Sequence, residues 1–462
     1  MAILSTPFRL LLTAAAAATS LLPSAFALQT LDLSQDFPVG NTDNPDAAAI
    51  EAMIDPSIYR LLVIDDGTIV MEYQADSVRD DDEAFIIHSA TKPWSRLLIG
   101  MIIESPKYNL SMDDKLGDIF LEESAWELVT DETEREIKKN ITIYEMMTMT
   151  SGLMEDWERW IDGRLDQTNL AAWLEYYVIN GTEKDFMVDV ANISGVDFDT
   201  SDYRETSFIY LISENILSYV VHEVTGMKPQ DFASEEVFPF LGIDPEKTVY
   251  FWMPDGNGMQ LFGSGMHLTA RQMAKLPQLY LQKGYAAPGQ SLVSEDFINA
   301  SLSPISYSNF GQSSVGMLWW LLGDKDNDPD FPALVVDPSL PGKIWCGSGM
   351  GGQQACLNHE TGRVVVVQRN DTIPSSSDSF IGAEASDILV IAAMSTDRSF
   401  AMSVVDASKS KENGGSDAEE EKEESEPMVG ADDPMEEESG AAILGSMAAA
   451  VAVVGALVVA VL

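Results

Sequence analysis

The chain has 462 residues, 45% of them hydrophobic, which is enough apolar material for a large core. Its 74 acidic residues against 27 basic ones give a net charge of -47 at pH 7. That excess argues against nucleic acid as a partner, because phosphate binding needs a surplus of Lys and Arg. The four histidines (His88, His222, His267 and His359) are not spaced with the two cysteines or with carboxylates as a zinc site would be, so neither a metal nor another cofactor is expected.

Residues 1–27 read as a secretory signal. Arg9 supplies the positive start, Leu10 to Leu22 form an apolar run short for a membrane span, and Ala25-Phe26-Ala27 fits a small-x-small cleavage site before Leu28. A folded body is expected over 28–405. It begins with a hairpin pattern, Tyr59 to Ile64 and Thr68 to Tyr73, around the turn signal Asp65-Asp66-Gly67.

Ser89-Ala90-Thr91-Lys92 comes next, ahead of the all-round apolar run Leu97 to Ile103, which marks a buried helix. Side chains three apart on a helix are neighbours, so the Lys92 amine can reach the Ser89 hydroxyl. Pro93 is compatible, because a first helical turn tolerates proline. The same two-residue pattern recurs by chance at Ser408 and Lys411, in an acidic low-complexity stretch, so its chemistry depends on partner motifs.

A helix-rich middle follows, roughly 110–280. One helix begins near Ile141 and is expected to end at Thr150-Ser151-Gly152-Leu153 with Gly152 as its cap. A second, apolar helix runs from Asn215 to Glu223 and closes at Thr225-Gly226, and helical patterning continues through Ala270 to Leu276. Strand-like segments return at Gly316 to Leu322, Lys343 to Cys346, Gln353 to Leu357 and Arg363 to Arg369, with a last helix near Ala383 to Met394. Strands near both ends of the body, with helices between, predict an α/β (α+β) fold: one antiparallel sheet built from distant segments, flanked by helices, with an inserted helix-rich lobe.

Cys346 and Cys356 flank Met350-Gly351-Gly352. If that triplet is a hairpin turn, the two face each other across paired strands and form a disulfide, which a secreted chain permits. Beyond the body, 406–440 is too acidic and too poor in apolar residues to fold and reads as a stalk. The uncharged run 441–462 reads as a retained membrane span or as a glycolipid-anchor signal; either would hold the body outside the cell at a membrane. Six Asn-x-Ser/Thr sequons (Asn109, Asn140, Asn180, Asn192, Asn299 and Asn370) are candidate glycosylation sites in a eukaryotic host.

Four stretches together carry a family resemblance: Phe85-Ile86-Ile87-His88-Ser89-Ala90-Thr91-Lys92, Asn140 to Leu153, Gly263 to Lys275, and Gly347-Ser348-Gly349-Met350-Gly351-Gly352-Gln353. In this order they resemble the serine β-lactamase and penicillin-recognising hydrolase superfamily, in its class C-like branch of esterases, D-amino peptidases and aminohexanoate-oligomer hydrolases. The resemblance implies Ser89 as nucleophile, Lys92 as its base, and a tyrosine that relays protons. Tyr210 fits that tyrosine best, allowing one deletion, with Tyr203 as the alternative; the motif's Asn or Ser becomes Ile212. It also implies an oxyanion hole from the backbone N–H groups of Ser89 and Met350, and a substrate-binding strand at Gly347, Ser348 and Gly349. Gly347 replaces the lysine that in β-lactamases helps bind the substrate carboxylate.

No Gly-x-Ser-x-Gly elbow of a Ser-His-Asp hydrolase is present. Two functions stand open: a cell-surface serine hydrolase acting on small esters or amides through an acyl-enzyme, and a catalytically silent binding or scaffold protein on the same fold.

Overall fold

The structure is a computed structural model that describes residues 30–40, 50–54, 56–79, 83–121, 126, 132–151, 215–247, 251–254, 258–308, 313–326, 328, 332–338, 340–369 and 381–394. The signal-like segment 1–27, the stalk 406–440, the apolar run 441–462, Tyr203, Tyr210, Ile212, and the sequons at Asn180, Asn192 and Asn370 lie outside them. Asn109, Asn140 and Asn299 are exposed. Among the described residues no helix is long and apolar enough to cross a membrane.

Eight strands form the spine: β1 (Ile58–Asp65), β2 (Thr68–Gln74), β3 (Ser306–Ser308), β4 (Ser313–Val315), β5 (Trp320–Asp324), β6 (Ile344–Gly349), β7 (Gln353–Asn358) and β8 (Arg363–Arg369). Their order across the sheet is β2-β1-β8-β7-β6-β5-β4-β3, with Val335–Val336 pairing beside β5. The hairpin β1–β2 turns at Asp66 and Gly67, both at positive φ as an Asp-Gly turn requires. β1 pairs antiparallel with β8, about three hundred residues away, which makes one sheet of the two ends of the body as the strand pattern predicts.

The two faces of the sheet follow from the two-residue period. Ile344 and Cys346 of β6 and Val365 and Val367 of β8 turn towards one layer, where Leu389, Val390 and Ile391 of the helix Ile381–Met394 pack on them. Trp345 of β6 and Val364 and Val366 of β8 turn to the other face. There they meet the helix Lys92–Glu104, α1, through its buried Trp94, Leu97 and Leu98. β8 is a continuous valine run because both of its faces are covered.

Further helices are α2 (Ile143–Thr148), α3 (Asn215–Thr225), α4 (Lys275–Leu281) and α5 (Ile381–Met394). α2 starts on a complete capping box, Thr142 with Glu145. It ends earlier than expected. The left-handed cap is Met149 (φ 55), not Gly152, which lies outside the described residues. Buried Arg96 of α1 donates to the carbonyls of Met146 and Met147 at 3.2 and 3.1 Å, so the helix end is satisfied by a side chain from another element. The apolar segment Gly316 to Leu322 also differs. Only Trp320 onward is strand, and 316–319 form the turn of the β4–β5 hairpin, with Leu318 at φ 61. Met317 and Leu318 are buried in that turn, so apolar composition did not distinguish it from a strand.

Candidate active site

Ser89 sits on a single 3₁₀ turn, His88–Thr91, that leads into α1, with Lys92 as the helix's first residue and Pro93 behind it. In a 3₁₀ turn, residues three apart eclipse. The Lys92 Nζ accordingly lies 3.2 Å from the Ser89 Oγ. Lys92 is buried and Ser89 half-buried. On its other side the Lys92 Nζ donates to the Gly263 carbonyl at 2.7 Å.

That carbonyl belongs to a loop tied down along its length. The Ser95 Oγ of α1 donates to the Phe262 carbonyl at 2.9 Å, and the Gly263 N–H donates to the Asn215 Oδ1 at 3.1 Å. The Met266 N–H donates to the Thr91 Oγ1 at 3.2 Å, and Ile87 N–H to the Met266 carbonyl at 2.9 Å. Trp252 stacks on Phe262 with ring centroids 5.6 Å apart. The stretch Gly263 to Lys275, quoted above only as part of a resemblance, therefore supplies an acceptor for the proposed base.

The second wall is the end of β6, which lies against the Ser89 turn. Gly349 presses so close that a Cβ there would sit 2.2 Å from the Ile87 carbonyl oxygen and 3.1 Å from the Ala90 nitrogen. No side chain fits, so the strand reaches the Ser89 turn by backbone alone, with Met350 the next residue along. A Cβ on Gly347 would meet the Pro93 ring at 3.2 Å, so that position also faces α1 and is bounded by proline. Ser348 points the other way, as strand alternation requires. Its Oγ donates to the Gln354 Oε1 at 2.8 Å, and the Gln354 Nε2 donates to Asp387 of α5 at 2.7 Å. Met350 is 44% exposed at the lip.

Cys346 and Cys356 are direct partners in the β6–β7 register and form a disulfide with Cα atoms 4.1 Å apart. Beyond them the pairing runs Gly347–Ala355, Ser348–Gln354 and Gly349–Gln353 into the turn Met350–Gly352.

The structure thus brings Ser89, Lys92, Gly347 and Gly349 together, leaves Met350 as the residue next to Gly349, and turns Ser348 to the opposite face of the sheet. The proposed proton relay, Tyr210 or Tyr203, lies outside the described residues. Asn215, Gly263 and Arg96 were not singled out for a role from the sequence. Asn215 carried one signal, a polar side chain opening an otherwise apolar helix, where burial demands a partner.

The Beta-lactamase family profile matches residues 47–385. Among solved structures the fold is similar to that of a candidate 6-aminohexanoate-dimer hydrolase from Bacillus anthracis, with a TM-score of 0.50 and 15% identity over 79% of this chain and 89% of that one. It is also similar to a class C beta lactamase from Rhodobacter sphaeroides, with a TM-score of 0.50 and 16% identity over 75% of this chain and 99% of that one. At such identities the likeness is one of fold. No curated protein sequence matches the chain.

Proposed function

The chain belongs to the Beta-lactamase family, and on that premise we propose that it is a serine hydrolase forming an acyl-enzyme with small esters or amides. The observation that carries this reading is the 3.2 Å contact between the Lys92 Nζ and the Ser89 Oγ, with Lys92 buried and Ser89 half-buried. A neutral amine at Lys92 takes the hydroxyl proton. As it does so, the Ser89 Oγ bonds to the substrate carbonyl carbon, and the N–H groups of Ser89 and Met350 receive the oxyanion. Collapse breaks the bond to the alcohol or amine, which leaves with a proton returned through Lys92 and Tyr210. Water then attacks the acyl group by the reverse proton path and frees Ser89.

A fluorophosphonate probe tests this directly. The adduct is expected on the Ser89 peptide and is expected to vanish in Ser89→Ala. An adduct on another serine, or none alongside measured ester turnover, would sink the assignment. The second reading, a silent binding protein on this fold, draws on Gly347, which offers no cation where β-lactamases carry one. A folded protein that neither labels nor turns over esters would favour it.

The same proposal places the body outside the cell at a membrane. Its support is the signal-like 1–27, the acidic 406–440, the apolar 441–462, the disulfide and the exposed sequons at Asn109, Asn140 and Asn299. Biotinylation of intact expressing cells checks it: label on residues of 28–405 is expected, and a body reached only after lysis would overturn the placement.

A further inference from the structure

We propose that Asn215 is a positioning residue for the Lys92–Ser89 pair, acting through the Gly263 loop; this rests on the serine-hydrolase reading above. The peptide joining Phe262 to Gly263 is clamped at both ends. Its oxygen accepts from the Ser95 Oγ at 2.9 Å, and its N–H donates to the Asn215 Oδ1 at 3.1 Å. The next carbonyl along, that of Gly263, accepts from Lys92 at 2.7 Å. A glycine has no side chain to fix its dihedrals, so the direction of its carbonyl depends on how firmly the preceding peptide is held. Asn215 does part of this from a separate element, α3, and is itself only 2% exposed.

The orientation of the amine follows from donor arithmetic. A neutral Lys92 has two hydrogens and one lone pair. With one hydrogen committed to the Gly263 oxygen, which can only accept, the amine is restrained so that its lone pair can meet the Ser89 hydroxyl hydrogen. The same carbonyl also favours the ammonium over the neutral amine, since hydrogen bonding to a charged form stabilises it. Loosening the carbonyl therefore has two consequences together: poorer aim and a lower pH at which Lys92 loses its proton.

The test is the rate of fluorophosphonate labelling at Ser89 in the full chain, measured from pH 5 to pH 10. Asn215→Leu removes the acceptor at similar volume. It is expected to lower the plateau rate about tenfold, the scale of one lost hydrogen bond, and to move the pH midpoint down. Asn215→Asp keeps the acceptor but adds a negative charge to the network. It is expected to stay within about threefold of the wild-type plateau while its midpoint moves up. A folded Leu variant with the wild-type rate and midpoint overturns the proposal. If the Leu variant does not fold, the Asp variant decides, and an unchanged midpoint there overturns it equally. A wild-type chain that is never labelled at Ser89 overturns the hydrolase reading itself, and this proposal with it.

Discussion

Lys92 is held between the Gly263 carbonyl, which can only accept, and the Ser89 hydroxyl. On the proposed mechanism its partner in proton handling is Tyr210. Lys92→Ala and Tyr210→Phe are each expected to cut ester turnover by roughly a hundredfold or more. The double variant should be little worse than either, because residues that act as a unit are not additive. If Tyr203→Phe is the damaging change instead, the relay belongs to that residue. Gly347 sets a second expectation. With no side chain at that position and the Pro93 ring 3.2 Å from where a Cβ would lie, the strand offers no cation to a substrate carboxylate. Short esters should therefore be hydrolysed faster than penicillins, compared by kcat/KM on one preparation; equal rates would contradict this.

At the scale of elements, the β6–β7 hairpin carries both the disulfide and the turn at Met350. The cysteines are ten residues apart, so the loop they close is short. On the chain-entropy model the bond adds about 2–3 kcal/mol. Its larger expected effect is local, holding Gly349 and Met350 against the Ser89 turn. Mild reduction should lower ester turnover before near-ultraviolet circular dichroism reports unfolding; simultaneous loss of both would refute a local role.

Residues 30–40 form a second docked element, a strap across α4. Leu33 N–H donates to the Ala286 carbonyl at 2.7 Å, and Leu31 exchanges hydrogen bonds with Gln282. Beneath the strap, buried Lys275 donates to the Gln35 carbonyl and lies 4.3 Å from the Phe37 ring centroid. Burial pulls its pKa from 10.5 to about 8; Asp36 and Asp32 oppose that shift, and Arg271 adds to it. The sign follows from linkage. Between pH 8 and 10.5 the unfolded chain holds the proton that the folded chain has released, so stability rises with pH across that window. The cost of the buried ammonium is full below pH 8 and relieved above it. Denaturant titrations of wild type and Lys275→Met should diverge between pH 7.5 and 10, with the wild type gaining on the order of 3 kcal/mol relative to the variant. Parallel pH profiles would show that Lys275 does not carry this titration.

For the whole molecule, a net charge of -47 means that like charges repel across the folded surface. Raising salt from 0.1 to 1 M shortens the screening length from about 10 to about 3 Å, so the melting temperature should rise; a fall would show that repulsion does not limit stability. By itself the sequence determined the joining of distant strands into one sheet, the Asp-Gly hairpin, the Ser89–Lys92 spacing and the pairing of Cys346 with Cys356. The last three are written in short separations: a two-residue turn, three residues between Ser89 and Lys92, ten between the cysteines and symmetric about Gly351; each distant strand is marked by its own two-residue period, and burying them in one core joins them. The tertiary structure alone decided that Met149 and not Gly152 caps α2, because the carbonyls there are satisfied by Arg96 from another helix. It alone decided that Ser348 faces α5 and that Gly263 and Asn215 stand behind Lys92. Those contacts join residues far apart in the chain, and no local pattern encodes which buried carbonyl a distant side chain will meet.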